Sequence, residues 1–150
     1  KKPQKEYFDE LFRISKNQII WGGNYFDLPP CRCFVCWDKC QPWENFSQVE
    51  MAWTSFDKPA KLFRHVNFND MDGKKLHPTQ KNVYLYAYLL DKFANKGDKI
   101  FDSHFGSLSI GIACHELGFE LDACEIDKEY YKNALNRLKE REFEKLSRLF

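Results

Sequence analysis

Two carboxylates and a run of small residues carry the most specific chemistry in this chain. Asp102 closes the stretch "KIFD", and Glu125 follows 23 positions later, near the end of "ELDACEID". Between them lies "SHFGSLS", whose Gly106 and Ser107 let a backbone approach a ligand closely and open a helix. The free N–H groups at such a helix start favour a carboxylate or a phosphate. A carboxylate about 20 residues beyond the loop can hold both hydroxyls of a ribose diol. Together these residues describe a cradle for a nucleotide-type cofactor. The plainer alternative, acids that merely end strands at the surface, stands beside it on this evidence. Leu108 occupies a position where such a loop is expected to carry a second glycine.

A second cluster invites a metal. Cys31, Cys33, Cys36 and Cys40 crowd into "CRCFVCWDKC", as in zinc or iron–sulfur centres. Yet Phe34, Val35, Trp37, Asp38 and Lys39 form a β-prone run without a turn residue to aim the sulfurs inward. On a strand, Cys33, Val35 and Trp37 share one face and Cys36 points to the other. The expectation is reduced, partly buried thiols and no metal.

The elements that position these residues belong to a folded chain. Of its 150 residues 43% are hydrophobic and 17% aromatic, which excludes a disordered composition and fits one domain. No apolar run approaches the roughly 20 residues of a membrane span. The N-terminal "KKPQKEYFDELF" lacks the apolar core of a signal peptide, so a cytoplasmic location without membrane contact is expected. Disulfides are not expected in that compartment. Net charge is +1, so no global field attracts nucleic acid. Locally, Lys58, Lys61, Arg64, Lys74, Lys75 and Lys81 outnumber Asp57, Asp70 and Asp72, with His65 and His77 among them. A solvated loop and a DNA-facing surface fit that segment equally.

Along the chain, Pro3 to Ser15 reads as an amphipathic helix and "NQIIWGG" as a short buried strand. Pro29 and Pro30 break regular structure. Strands are predicted over Cys33 to Lys39, Val49 to Phe56 and, more weakly, Lys61 to Val66, followed by a polar loop from Asn67 to Lys75. A helix follows from about Thr79 to Asn95, with Val83, Tyr86, Leu90 and Phe93 on one stripe and Gly97 as its stop. Strand "KIFDS", helix Ser109 to Leu117, strand "ELDACEID" and a helix from Lys128 to about Lys145 complete the series. That alternation predicts parallel pairing through a right-handed crossover, the front half of a doubly wound α/β sheet.

"LHPTQKNVYLYAYLL" and "GDKIFDSHFGSLSIGIACHELGFELDACEIDKEYYKNALNRL" resemble the C-terminal half of amino-group DNA methyltransferases. The closer similarity is to the permuted β class of phage and restriction–modification systems, where the cofactor motifs come last. "NQIIWGGNYFDLPP", "FVCWDK" and "VEMAWTSF" resemble the blocks between catalytic motif and target-recognition region, so the likeness spans nearly the whole chain. It implies an α/β, Rossmann-like, circularly permuted fold dependent on S-adenosylmethionine. Asp102, Gly106 and Ser107 would hold the methionine part, with Asp102 facing the ammonium, and Glu125 the ribose. His77, Pro78, Thr79, Gln80 and Lys81 would close the other side. Thr79 would either cap its helix or offer a donor to the cofactor carboxylate, or do both.

The resemblance further implies one methyltransferase domain. Residues 1–56 would belong to the catalytic half, 57–76 to a short target-recognition region and 77–150 to the cofactor half. Lys61, Arg64, Lys74 and Lys75 would meet double-stranded DNA, and Asn24 and Tyr25 the target base. So short a recognition region fits a homodimer or a short target site. Adenine-N6 is the family's usual acceptor and cytosine-N4 its sibling. The catalytic tetrapeptide, Asp, Asn or Ser before Pro-Pro-aromatic, has no counterpart here, since "DLPPC" has an extra Leu28 and ends in Cys31. It is expected upstream of Lys1, with the strand that carries it. An inactive remnant that binds DNA or a partner is the alternative. Two positions depart from the family pattern: Asn82 replaces proline and Leu108 replaces glycine. A leucine forced to positive φ costs about 1–2 kcal/mol. Its side chain is expected over the methionine pocket, and Leu108→Gly to tighten cofactor binding.

Overall fold

A computed structural model describes residues 3–66 and 80–147, with side chains up to Arg141. His77, Pro78, Thr79, Lys74 and Lys75 therefore lie outside the described residues. The chain forms two compact units, Lys1–Val66 and Asn67–Phe150, dividing inside the expected recognition region.

The first unit opens with helix α1, Lys5–Ile14. Its apolar stripe buries Phe8 against Ile20 and Trp53, with Tyr7 and Leu11 alongside. Strands β1 (Ile19–Trp21), β2 (Phe34–Asp38), β3 (Val49–Thr54) and β4 (Lys61–Arg64) form one sheet in the order β1-β3-β2-β4. β3 runs antiparallel to both β1 and β2, and β4 runs parallel to β2. Strands β1, β2 and β4 consequently point the same way, and their carboxyl ends share one end of the sheet. The β-branched and aromatic alternation of "CFVCWD" explains β2: Cys33, Val35 and Trp37 are wholly buried while Cys36 is half-buried on the other face. All six cysteines are free thiols, and the described residues contain no metal-competent cluster of His, Cys, Asp and Glu.

The second unit is the expected alternation. Helix α2 (Val83–Phe93), strand β5 (Lys99–Asp102), helix α3 (Ser109–Leu117), strand β6 (Glu120–Ala123) and helix α4 (Lys128–Ser147) follow in order. β5 and β6 pair in parallel, Asp102 opposite Ala123. One face of this pair carries Ile100 and Leu121, packed with Leu90 of α2 and with Ala113 and Cys114 of α3. α2 is buried on more than one stripe, since Leu85 and Leu89 are enclosed as well as Leu90 and Phe93.

Several boundaries differ from the sequence reading, three of them near the site. α2 starts at Val83, and its cap is Asn82, whose buried Oδ1 accepts the Leu85 N–H at 2.7 Å. The residue that breaks the family pattern thus acts as an N-cap, a role a proline cannot fill. α2 ends at Phe93 with Ala94 extended, and Gly97 (φ +91°) serves the following turn, where the Asp98 N–H bonds the Asn95 carbonyl at 3.0 Å. β6 stops at Ala123: the Cys124 N–H makes the last ladder bond, to the Asp102 carbonyl at 2.8 Å, and the chain then turns. No helix among the described residues is long and apolar enough to cross a membrane.

Candidate functional site

The site grows from the carboxyl ends of β5 and β6, where ligands of parallel sheets collect. Asp102 Oδ1 accepts the His104 N–H at 2.9 Å, turning the chain sharply out of β5. The Phe105 N–H then bonds the Cys124 carbonyl at 3.1 Å, tying the loop to the end of β6. Gly106 sits at φ +52°, in the left-handed region open to glycine, and its N–H donates to Glu125 Oε2 at 3.0 Å. Glu125 Oε1 accepts the Asp127 N–H at 2.9 Å. One carboxylate thereby joins the loop after β5 to the loop after β6. Asp127 in turn caps α4, its Oδ1 accepting the Glu129 and Tyr130 N–H groups at 2.9 and 3.0 Å.

Leu108 adopts φ +59° and ψ +31°, the left-handed geometry anticipated for the missing glycine, at the N-cap of α3. Its side chain does not lie over the loop. It is buried with Phe105 of the loop and Ala134 of α4, among Leu121, Ala123, Leu135 and Leu138. The expectation that it blocks the methionine pocket is corrected: apolar area drew it inward. Space for it exists because Gly111, one turn along α3, has no side chain; a Cβ there would stand 2.6 Å from Leu108 Cγ.

Beneath the loop, Arg137 of α4 donates from Nη1 to the Ser107 carbonyl and to Ser109 Oγ, both at 2.9 Å. Ser107 is buried, and its hydroxyl faces Ser109 Oγ at 3.3 Å. Burial pushes the Asp102 carboxyl above its ordinary range, and the neighbouring Glu125 carboxylate adds to this. The His104 N–H, the His104 ring and Lys81 act in the opposite direction. Asp102 is thus a partly desolvated carboxylate whose ionised form gains from a nearby cation. Burial, with Asp102 nearby, also raises the Cys114 thiol to about 11. Gln80 is buried and Lys81 half-buried just before α2.

Ile126 was not singled out by sequence reasoning. It directly follows Glu125 and is 95% exposed, an apolar side chain beside the candidate ribose carboxylate. An isoleucine between two acids after a strand was the available signal.

The remaining sequence-chosen residues lie in the first unit. Asn24 and Tyr25 are exposed on the 3-10 turn Gly23–Tyr25 that follows β1. Gly23 lies flush on β3, since a Cβ there would meet Trp53 Cβ at 2.4 Å. Lys61 and Arg64 are on β4, at the opposite edge of the sheet, three strand spacings or about 14 Å away. Arg64 Nε pairs with Asp38 Oδ2 at 2.9 Å. The Cys40 N–H and Arg64 hold the Asp38 carboxyl below its usual range. At the same sheet end as Tyr25 and Arg64, the β2–β3 loop presents Trp43 and Phe46, 68% and 72% exposed. Gln41 braces that loop, donating to the Phe46 carbonyl at 2.9 Å and accepting the Trp43 N–H at 2.8 Å.

A β-α-β unit with an acid at each strand end and a small-residue loop between them defines a Rossmann-like α/β protein. Residues 2–136 match a family model described as DNA methylase, and the chain belongs to that family of N6/N4 methyltransferases. It is similar to the Type II methyltransferase M2.DpnII of Streptococcus pneumoniae, 36% identical over 128 residues, 85% of this chain and 43% of that protein. The Type II methyltransferase M.HpaI of Haemophilus parainfluenzae is 34% identical over 76 residues, 51% of this chain and 24% of that one. The chain therefore spans less than half the length of either curated relative. The crystal structure of an M1.HpyAVI-SAM complex shares the fold, with a TM-score of 0.58 at 22% identity over 88% of this chain and 68% of that one.

Proposed function

We propose that this chain is a domain of an S-adenosylmethionine-dependent methyltransferase acting on an exocyclic amine in double-stranded DNA, adenine N6 before cytosine N4. The observation that carries it is the loop Ser103–Leu108, wrapped between Asp102 and Glu125 with its glycine N–H on the second acid. Family membership and the Type II methyltransferase relatives support the same reading.

The donor set fits the cofactor. Asp102, desolvated and with one oxygen on His104, would face its ammonium. The start of α3 would receive its carboxylate. Each Glu125 oxygen accepts one N–H, and a carboxylate oxygen has a further lone pair for a ribose hydroxyl. Ile126 would lie against the adenine. When bound, the cofactor supplies an electrophilic methyl group on sulfur. Gln80 and Lys81, with His77, Pro78 and Thr79, would close the methionine side, and Lys81 already acts on the charge of Asp102.

Asn24 and Tyr25 would meet the target base, while Lys61, Arg64, Lys74 and Lys75 would meet the backbone. Trp43 and Phe46 add stacking surface at that sheet end, suited to bases leaving the duplex. The tetrapeptide that aims the amine would come from a strand upstream of Lys1, as in a permuted enzyme. The domain is read as 1–56 catalytic, 57–76 recognition and 77–150 cofactor-binding. The test is label transfer from methyl-tritiated S-adenosylmethionine to unmethylated duplex DNA by the full-length protein, followed by nucleoside analysis. N6-methyladenine is the expected product. Cofactor binding without any methylated base would instead make the chain a remnant that binds DNA or a partner.

A further inference from the structure

Strand β4 ends in an arginine that is held along one edge and open along the other. Asp38 and Arg64 stand opposite each other in the parallel register of β2 and β4, and Arg64 Nε donates to Asp38 Oδ2 at 2.9 Å. The carboxylate is itself fixed, since Oδ1 accepts the Cys40 N–H at 2.9 Å. The backbone around the arginine is fixed as well. The His65 N–H donates to the Asp38 carbonyl at 3.0 Å, and the buried Trp37 indole to the His65 carbonyl at 2.9 Å. The Phe63 and His65 rings, one residue to either side, stack with centroids 5.8 Å apart. β4 is the outermost strand of its sheet among the described residues, and the Arg64 side chain is 69% exposed. Among those residues Arg64 makes no hydrogen bond besides the one from Nε, so Nη1 and Nη2 face outward as an unoccupied fork.

We propose that Arg64 reads a guanine of the target site from the major groove, donating from Nη1 and Nη2 to O6 and N7, with Asp38 as its positioning residue. The proposal rests on the duplex-DNA reading above and sharpens it, moving Arg64 from the backbone to a base edge. Charge decides between the two. Asp38 stays ionised, held below its usual range by the Cys40 N–H and by Arg64, and it largely cancels the arginine's charge at close range. A phosphate approaching the pair would meet the carboxylate's repulsion together with the guanidinium's attraction. A neutral base edge needs no net charge, only donors in a fixed plane, and the carboxylate supplies that fixing. The fork holds donors alone, and guanine is the base that shows two adjacent acceptors in the major groove. Adenine sets a donor beside its acceptor, and thymine a methyl group.

Base preference separates this role from a backbone contact. Sequencing of unmethylated plasmid DNA treated with the full-length protein and S-adenosylmethionine locates the methylated sites. Duplexes altered one base pair at a time then give kcat/KM for each position. The wild-type protein is expected to prefer guanine at one position by roughly tenfold to a hundredfold. Arg64→Ala should reduce that preference to within about threefold and leave the preferences at other positions in place. Asp38→Asn, which keeps an acceptor for the Cys40 N–H, should weaken the same preference and no other. Replacing that guanine by 7-deazaguanine removes N7, and should cost the wild-type protein roughly tenfold but Arg64→Ala less than about twofold. A loss in Arg64→Ala that is equal for all sequences, with a shallower salt dependence, marks a phosphate contact and overturns the proposal. So does a target site made only of A·T pairs, or a guanine preference that Arg64→Ala leaves intact. A preference unchanged in Asp38→Asn overturns the positioning role. If the wild-type protein methylates no duplex, the DNA reading itself fails and this inference falls with it. If it methylates a site whose preferences ignore Arg64, the DNA reading stands without this inference.

Discussion

Leu108 and Gly111 share one volume: the leucine side chain fills the space that a Cβ on residue 111 would occupy, at 2.6 Å from Leu108 Cγ. A leucine held at φ +59° is strained, yet its side chain is only 5% exposed. Strain of about 1–2 kcal/mol is thus set against burial of a leucine, worth a similar or larger amount. The loop keeps the backbone of the glycine it lacks.

This shared volume sets the stability cost of changing either residue. Leu108→Gly relieves the strain but opens a cavity between α3 and α4, so a net destabilisation of about 1–3 kcal/mol is predicted. Gly111→Ala is predicted to cost about 1–3 kcal/mol alone through overpacking. In the Leu108→Gly background that cost should vanish or change sign, because alanine is the better helix former. Urea unfolding of the two single variants and the double measures the coupling. Additive losses would show that the two residues do not compete for space.

Asn82 makes a separate prediction. Its buried Oδ1 satisfies the Leu85 N–H at the start of α2, so Asn82→Ala should lower stability by about 1–2 kcal/mol. Chemical denaturation reads this directly, and a change below about 0.3 kcal/mol would remove the cap from the account.

Asp102 should trade stability for binding. Its folded pKa is raised above the ordinary 3.8, so the native state binds the proton more tightly than the unfolded chain. Stability contributed by this group is therefore present below pH 3.8 and lost as pH rises through the folded value. Asp102→Asn, which can still accept the His104 N–H, is predicted to raise Tm at pH 7 and to weaken S-adenosylmethionine by at least about tenfold. The Tm advantage should shrink towards zero in acid. A variant less stable than wild type at pH 7 would contradict the burial argument.

The cysteines should separate by exposure and charge. Cys40 and Cys124 are exposed, whereas Cys33 and Cys114 are buried and Cys114 is raised to about 11. Ellman's reagent at pH 8 is predicted to label Cys40 and Cys124 in the native protein and Cys33 and Cys114 only after unfolding. Purified protein should contain no stoichiometric zinc. Zinc released on thiol modification would revive the metal reading of "CRCFVCWDKC".

The β5–α3–β6 unit was legible because its signals are local: a short apolar run, small loop residues, a helix, and an acid at each strand end. The faces of β2 followed from the two-residue period of "CFVCWD". The α2 cap was harder, since Thr79 and Asn82 are both capping residues in one segment and sequence gives no register between them. Gly97 carried an equal signal for a helix stop and for a turn. The direction of the Leu108 side chain depends on Gly111 and Ala134, and the hold on Ser107 comes from Arg137, 30 residues away. Contacts of that range leave no periodic trace. The pairing of Arg64 with Asp38 was equally hidden, although a surplus of lysines and arginines around it was plain.

The central claim is that the loop between Asp102 and Glu125 still binds the cofactor with a leucine in place of its glycine. Calorimetric titration of the full chain with S-adenosylmethionine, with Glu125→Ala as control, tests it most directly. Saturable binding at one site per chain, lost in the variant, is the predicted result. A folded wild-type protein that gives no saturable heat would contradict it.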